Sequence, residues 1–198
     1  MRKIIRWIIY GIIYILVLPF GLLSVAWFKI FGSQAIFFCC AETFSLMPSY
    51  LGLMVRSCYY YQTLKKAHPD LVVLFGGYIS KMNSKFGRNV KIGGRAMVGL
   101  VDVGDNTAIG NNVNIISGRY QHNFVDTSKD VFDAKDHFES IKIGSNCFIG
   151  DNSVVMASVG NSSIIGAGSV VVSKIPDYVV AVGNPAKPVK ERPKNGQS

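Results

Sequence analysis

Acidic residues are few in this chain of 198: 12 Asp and Glu stand against 21 Lys and Arg, a formal net charge of +9. The basic excess forms no long run. It is divided among Arg2, Lys3 and Arg6, then Arg56, Lys65 and Lys66, the stretch Lys81–Arg95, and the C-terminal Lys187, Lys190, Arg192 and Lys194. With no basic stripe and no aromatic stacking platform, nucleic acid is not an expected partner. Cysteine is also scarce. Cys39, Cys40, Cys58 and Cys147 include no C-x-x-C pair, which excludes a disulfide framework and a thiolate zinc site and suits a reducing, cytosol-facing setting. Charge is absent altogether from Trp7 to Phe28. That stretch is long enough to span a bilayer, and too long, without a small-x-small site, for a cleaved signal peptide.

The apolar first third gives way near Leu71 to sequence rich in Gly, Asn, Ser, Val and Ile. Arg2, Lys3 and Arg6 place the N-terminus in the cytosol by the positive-inside rule. A single crossing would then export the rest of the chain. Pro19 and Gly21 interrupt the run, and a second uncharged stretch follows from Ile30 to Ala41. Residues 1–47 are therefore expected to form a membrane hairpin or re-entrant segment that returns near Lys29. Residues 48–70 read as an amphipathic helix and linker. Leu51, Met54, Val55, Cys58 and Tyr59 make its apolar face, while Arg56, Lys65, Lys66 and Tyr59–Tyr61 suggest an anchor in the lipid interface. A helix that caps the following domain is the alternative.

From residue 71 to 190 an aliphatic residue followed by Gly recurs every six positions: Phe86, Ile92, Val98, Val103 and Ile109, then Ile143, Ile149, Val159 and Ile165. Val155 and Val171 keep the phase without the Gly, and Leu74 and Ser80 extend it backwards. Such a period predicts a mainly β fold, a parallel β-helix of hexapeptide repeats in which one aliphatic side chain per hexapeptide enters a narrow prism and stacks on its counterpart one coil away. Asp105-Asn106, Asn111-Asn112, Ser145-Asn146, Asp151-Asn152 and Asn161-Ser162 follow at one phase and supply the turns. The repeat stops over residues 118–140. This polar, aromatic insert holds His122, His137 and five carboxylates, among them Asp126. A neutral imidazole can accept the proton of an attacking hydroxyl, and a carboxylate on its other nitrogen would fix the tautomer. Residues 191–198 read as a flexible tail.

The tail of the repeat, Ile164-Ile-Gly-Ala-Gly-Ser-Val-Val171, then Ile175-Pro-Asp177 and Val182-Gly-Asn-Pro-Ala-Lys187, resembles the terminal coil of the hexapeptide-repeat acetyltransferases. The run ending at Gly118 with Tyr120-Gln-His122 resembles the approach to that family's catalytic histidine. The resemblance covers about Phe86 to Arg192. A weaker one, through the apolar N-terminus and Ser49–Arg56, points to membrane-associated members of bacterial surface-polysaccharide pathways. It implies a left-handed β-helix, a homotrimer with sites between subunits, and acetyl-CoA as co-substrate with no metal. His122 is then the catalytic base; Asp126, the nearest carboxylate on the same loop, is the candidate to orient it. Gly150, Gly166, Ala167, Gly168 and Ser169 line the coenzyme channel, and Lys187, Lys190 and Arg192 meet its phosphates. The acceptor would be a saccharide hydroxyl, lipid-linked or membrane-delivered, at the cytoplasmic face of the inner membrane. N-acetyl transfer to an amino sugar, or a non-catalytic scaffold role in a membrane complex, are the alternatives. Two departures bear on the channel: Cys147-Phe148 stands where the family often has Trp, and the step from Val155 to Val159 is two residues short.

The membrane expectation has a direct test. The full-length protein should sediment with membranes at low salt, and recovery in the soluble fraction would refute it.

Overall fold

The computed structural model describes residues 2–118 and 138–194. Three helices precede the strands: α1 (Arg2–Phe31), α2 (Ala35–Ser45) and α3 (Ser49–Thr63). The strands then wind in coils. The first coil is β1 (Val72–Val73), β2 (Tyr78–Ile79) and β3 (Lys85–Phe86). The second is β4 (Lys91–Ile92), β5 (Met97–Val98) and β6 (Val101–Val103), and the third β7 (Ala108–Ile109), β8 (Asn114–Ile115) and β9 (Ile141–Ile143). The fourth has β10 (Phe148–Ile149) and β11 (Val154–Val155), with Val159 bridged to Ile143. The fifth has β12 (Ile164–Ile165) and β13 (Val170–Val171), with Ile175 bridged to Val159. The chain closes with β14 (Val179–Gly183), which pairs in parallel with β12 and turns back antiparallel as β15 (Ala186–Glu191).

Every other pairing between coils is parallel and in one phase. Ile92, Ile109, Ile149, Ile165 and Ala181 stack on one face. Ile79, Val98, Ile115, Val155 and Val171 stack on the second. Phe86, Val103, Ile143, Val159 and Ile175 stack on the third. All of these side chains are 3% exposed or less. Each contributes about 1.5–3 kcal/mol by burial, and only because a neighbouring coil covers it.

The turns repeat as regularly. Asn106, Asn112, Asn146, Asn152 and Ser162, each the second residue of an expected turn pair, all have φ between 53° and 59°, in the left-handed region. The first residue of the pair reaches along the axis. Asp105 Oδ1 accepts from Arg88 N–H at 2.8 Å, Asp151 Oδ1 from Asn111 N–H at 2.7 Å, and Asp177 Oδ1 from Asn161 N–H at 2.7 Å. The Arg88 N–H, with its guanidinium, holds the Asp105 carboxyl below the usual carboxylate range. Gly93 is required by this spacing, since a Cβ there would lie 2.4 Å from the Gly110 carbonyl carbon.

Four expectations are corrected. The inward positions of the first coil are Val73 and Ile79, not Leu74 and Ser80. Seven residues separate Ile79 from Phe86, so a constant step of six carried backwards falls out of phase, and Leu74 is exposed. Secondly, α1 continues through Pro19 and Gly21 and ends only at Phe31. Gly21 is a contact rather than a break: a Cβ there would lie 2.3 Å from Gln62 Oε1, and Gln62 Nε2 donates to the Tyr14 carbonyl at 3.1 Å. Thirdly, Arg56 is no lipid anchor. Its guanidinium is buried and donates to the carbonyls of Val73 (2.8 Å), Phe44 (2.9 Å), Met47 (2.9 Å) and Ser45 (3.4 Å). A cation at the C-terminal carbonyls of α2 is favoured by the helix dipole, and it ties α2 and α3 to β1. Tyr59 and Tyr60 are buried too, leaving Tyr61 exposed, and the Tyr60 hydroxyl accepts from Ile79 N–H at 3.0 Å. Burial pushes the Tyr60 pKa up. The helix α3 therefore caps the first coil. Finally, the chain is ordered past 190: β15 runs to Glu191, and Arg192 N–H donates to the Tyr178 carbonyl at 2.7 Å.

Arg56→Leu should destabilise the fold by about 4 kcal/mol, because several buried carbonyls lose a charged donor together. Urea denaturation in mild detergent measures it, and a loss under about 1 kcal/mol would contradict this account.

Candidate active site

The insert leaves from the third coil. Beyond β8 the Ser117 hydroxyl accepts from Leu100 N–H at 2.8 Å, and the Ser117 carbonyl accepts from Glu139 N–H at 2.9 Å. Gly118, between the limbs, has φ +90°, and a Cβ there would come within 2.8 Å of Glu139 Cβ. Outgoing and returning chain thus meet in a closed neck. On the return limb the Phe138 ring centroid lies 3.5 Å from Lys81 Nζ, a cation–π contact that draws this limb toward the first coil. The catalytic candidates His122 and Asp126 lie outside the described residues, as does His137.

Directly after the neck, β9 enters the third face of the prism. Alternation turns Ile141 and Ile143 inward and Lys142 outward. Lys85, Asp102 and Lys142 align in register along this face, with Lys85 Nζ 3.0 Å from Asp102 Oδ2. Ser158 and Lys174 line the same groove, and Ser158 Oγ accepts from Lys142 N–H at 2.9 Å. The groove holds about 480 Å³ and its floor is the backbone of Gly104, Gly144 and Gly160. Two ammonium groups against one carboxylate, itself paired to Lys85, suit an anionic ligand. Sequence reasoning missed Lys142 and Lys174. The available signal was a lysine alternating between two inward isoleucines immediately after the insert.

The residues expected to hold the coenzyme divide between two edges of the first face. Gly150, Gly166, Ala167, Gly168 and Ser169 share one corner. There Gly150 N–H donates to the Ile165 carbonyl at 2.8 Å, and Gly166 N–H to the Ala181 carbonyl at 2.9 Å. Lys187 lies opposite Val182, whose side chain covers Gly166. Lys190 is further along β15, opposite Val180. Arg192 sits at the far edge, where its Nη1 donates to the Ser162 carbonyl. Several of these residues are held by the fold itself. A Cβ on Gly150 would lie 2.5 Å from Ala167 N, and one on Gly166 would lie 2.6 Å from Val182 Cγ1. Ser169 is buried, and its hydroxyl accepts from Gly183 N–H at 3.2 Å. Gly168 differs: it has φ +69° with open space where a Cβ would be. Among the described residues no three His, Cys, Asp or Glu are placed to share a metal ion.

Residues 140–173 match the family model described as the hexapeptide repeat of succinyl-transferase. The chain carries hexapeptide repeats and is similar to acetyltransferases over about half its length. It is 34% identical to the galactoside O-acetyltransferase of Escherichia coli over 94 residues, 46% of this chain and 44% of that enzyme. It spans less than half the length of the curated relatives it matches. In fold it is similar to a maltose O-acetyltransferase from Clostridium difficile, with TM-score 0.59, 21% identity, and 80% and 86% of the two chains covered. It is also similar to the N-acyltransferase AntD of Bacillus cereus, solved with dTDP and 3-hydroxybutyryl-CoA, with TM-score 0.50, 16% identity, and 66% and 85% covered.

Gly150→Ala should lower stability by about 2–3 kcal/mol with no coenzyme present, because the methyl meets backbone in the next coil. Gly168→Ala has room and should cost only the left-handed backbone term, about 1 kcal/mol. Denaturation midpoints of the two variants check this, and a Gly150→Ala protein as stable as the parent would refute it.

Proposed function

We propose that this hexapeptide-repeat protein is an acetyl-CoA-dependent O-acetyltransferase that acts on a saccharide hydroxyl. The observation that carries this is the polar insert holding His122, pinned by both limbs to the third coil beside the cationic Lys142–Lys174 groove. Support comes from the O-acetyltransferase relative and from the acyl-CoA in the AntD complex. In the mechanism, His122 takes the proton of the acceptor hydroxyl as its oxygen attacks the thioester carbonyl. The tetrahedral oxyanion is stabilised by a backbone N–H, and the C–S bond then breaks to release coenzyme A as a thiol. Asp126 would orient the imidazole. Holding both substrates in one groove supplies much of the rate. Lys187, Lys190, Lys142 and Lys174 would meet the phosphates of the coenzyme.

The finer picture has the β-helix left-handed and the working molecule a homotrimer. The enzyme is bound to the cytoplasmic face of a bacterial inner membrane and acts on a surface polysaccharide or its lipid-linked precursor. The exposed apolar surface of α1 supports the membrane part, since this helix alone among those described is long and apolar enough to cross a bilayer. N-acetyl transfer to an amino sugar is the second reading, favoured by the fold likeness to an N-acyltransferase.

His122→Ala should lower kcat by about two to four orders of magnitude. Coenzyme A release from acetyl-CoA in the presence of candidate glycans measures it, and turnover near that of the parent would remove His122 from the mechanism.

A further inference from the structure

α1 packs along α3 and against α2, and both of its ends come near the start of the first coil. At its C-terminal end the turn into α2 places Gln34, whose Oε1 accepts from Met82 N–H at 2.8 Å. Toward its N-terminal end Trp7, Tyr10, Gly11 and Tyr14 share a cavity of about 260 Å³ with Ser57, Cys58, Tyr61 and Pro69. Pro69 stands two residues before Leu71, whose carbonyl accepts from the Ser57 hydroxyl at 2.7 Å. Between those ends Ile13, Val17 and Ser24 are buried, and Ser24 Oγ lies 2.9 Å from the Tyr59 hydroxyl of α3. A helix of 30 residues is about 45 Å long. Contacts near both ends and along its middle on α3, which itself packs on β1, point to an axis lying across the base of the prism rather than continuing its length.

That placement decides how it can meet a membrane. If α1 stood along the bilayer normal, about 30 Å of hydrocarbon would surround it. The first coil and the turn after it would then be carried inside with the charges of Lys85 and Arg88, at a cost of several kcal/mol for each. The hairpin with a buried tip fails for the same reason, because its turn is bonded to Met82. What remains is the face of α1 turned away from α3: Ile8, Ile12, Ile15, Leu22 and Ile30, all strongly exposed. All the backbone beneath it is helical, as contact with lipid requires. Residues 1–66 are strongly basic in sequence: Arg2, Lys3, Arg6, Lys29, Arg56, Lys65 and Lys66 stand against the single acid Glu42.

We infer that α1 is a monotopic, in-plane anchor that floats the enzyme on an anionic lipid surface, with the coils rising from the membrane and neither spanning nor dipping through it. This rests on the membrane association proposed above and gives it a geometry. The corner of the first coil that holds Gln34 through Met82 also holds Phe138 through Lys81. The return limb of the insert is thus drawn toward the lipid surface, while its neck stands on the third coil, about 10 Å beyond the first. The acceptor this favours is a saccharide displayed just above a lipid headgroup.

The chain carries two tryptophans, Trp7 and Trp27, which stand roughly 30 Å apart along α1 and on opposite flanks of its exposed face. Full-length protein is added to preformed vesicles of phosphatidylcholine and phosphatidylglycerol (7:3). Flotation reports binding. Trp7→Phe and Trp27→Phe single-tryptophan variants, with lipids brominated high or low on the acyl chain, report depth. An N-terminal tag probed with external protease reports side. The expected result is flotation, equal shallow quenching of both tryptophans, and a tag that is cut from outside. Ile15→Asp with Leu22→Asp should weaken binding about tenfold or more. A protected tag, or a Trp27 quenched from deep in the chain while Trp7 stays shallow, would overturn the in-plane anchor and leave membrane binding standing. Absence of flotation would overturn both.

Discussion

One geometric constraint governs the molecule: each face of the prism admits one inward side chain per coil, and that side chain is dry only if another coil sits on it. Val, Ile and Phe meet this at 16 or 17 residues per turn of the superhelix over most of its length. The short steps, Val155 to Val159 and Val171 to Ile175, keep the phase because they fall at a corner, where length is free, rather than on a face. The glycines and left-handed asparagines are consequences of the same constraint. Successive turns pass so closely that a methyl group at Gly93 or Gly150 would meet the backbone of the next coil.

The insert enters where this constraint is relaxed. A corner can be lengthened without disturbing the faces if its ends are sealed, and Ser117 with Glu139 provides the seal. The register then jumps by 40 residues between Ile109 and Ile149, yet both side chains still point inward and stack. The neck at Ser117 and Glu139 is thereby held at a fixed height on the scaffold, near a groove lined by Lys142 and Lys174. Much of the glycine-rich corner that invites a ligand reading is already committed to packing. The open surface at Gly168, Lys187 and Lys190 is where coenzyme contacts have room.

The exposed apolar helix is joined to this scaffold by a polar device. Arg56 spends its guanidinium on carbonyls from α2 and β1, and Gln34 and Tyr60 bond to backbone N–H groups of the first coil. Such bonds in a dry setting fix orientation more firmly than apolar contact alone. They make the helical base and the first coil one unit, so the attitude of α1 toward a membrane is also that of the coils.

The sequence by itself determined the β-helix, its turn residues, the limits of the insert and the apolar first third, because each is written in local periodicity: six for the coils, uncharged length for α1. It also singled out His122 and the basic exit through their resemblance to acetyltransferase motifs, and Asp126 through its nearness to His122 in the chain. It erred where a residue's role depends on what lies across from it. Arg56 reads as a surface cation until α2 and β1 are brought around it. Gly21 reads as a helix breaker until Gln62 is seen against it, and Leu74 reads as inward until the seven-residue step to Phe86 is known. Tertiary structure alone decided that α1 packs along α3 at the first-coil end and that Lys142 and Lys174 share a groove. Both depend on contacts between residues far apart in the chain, and no local period encodes those.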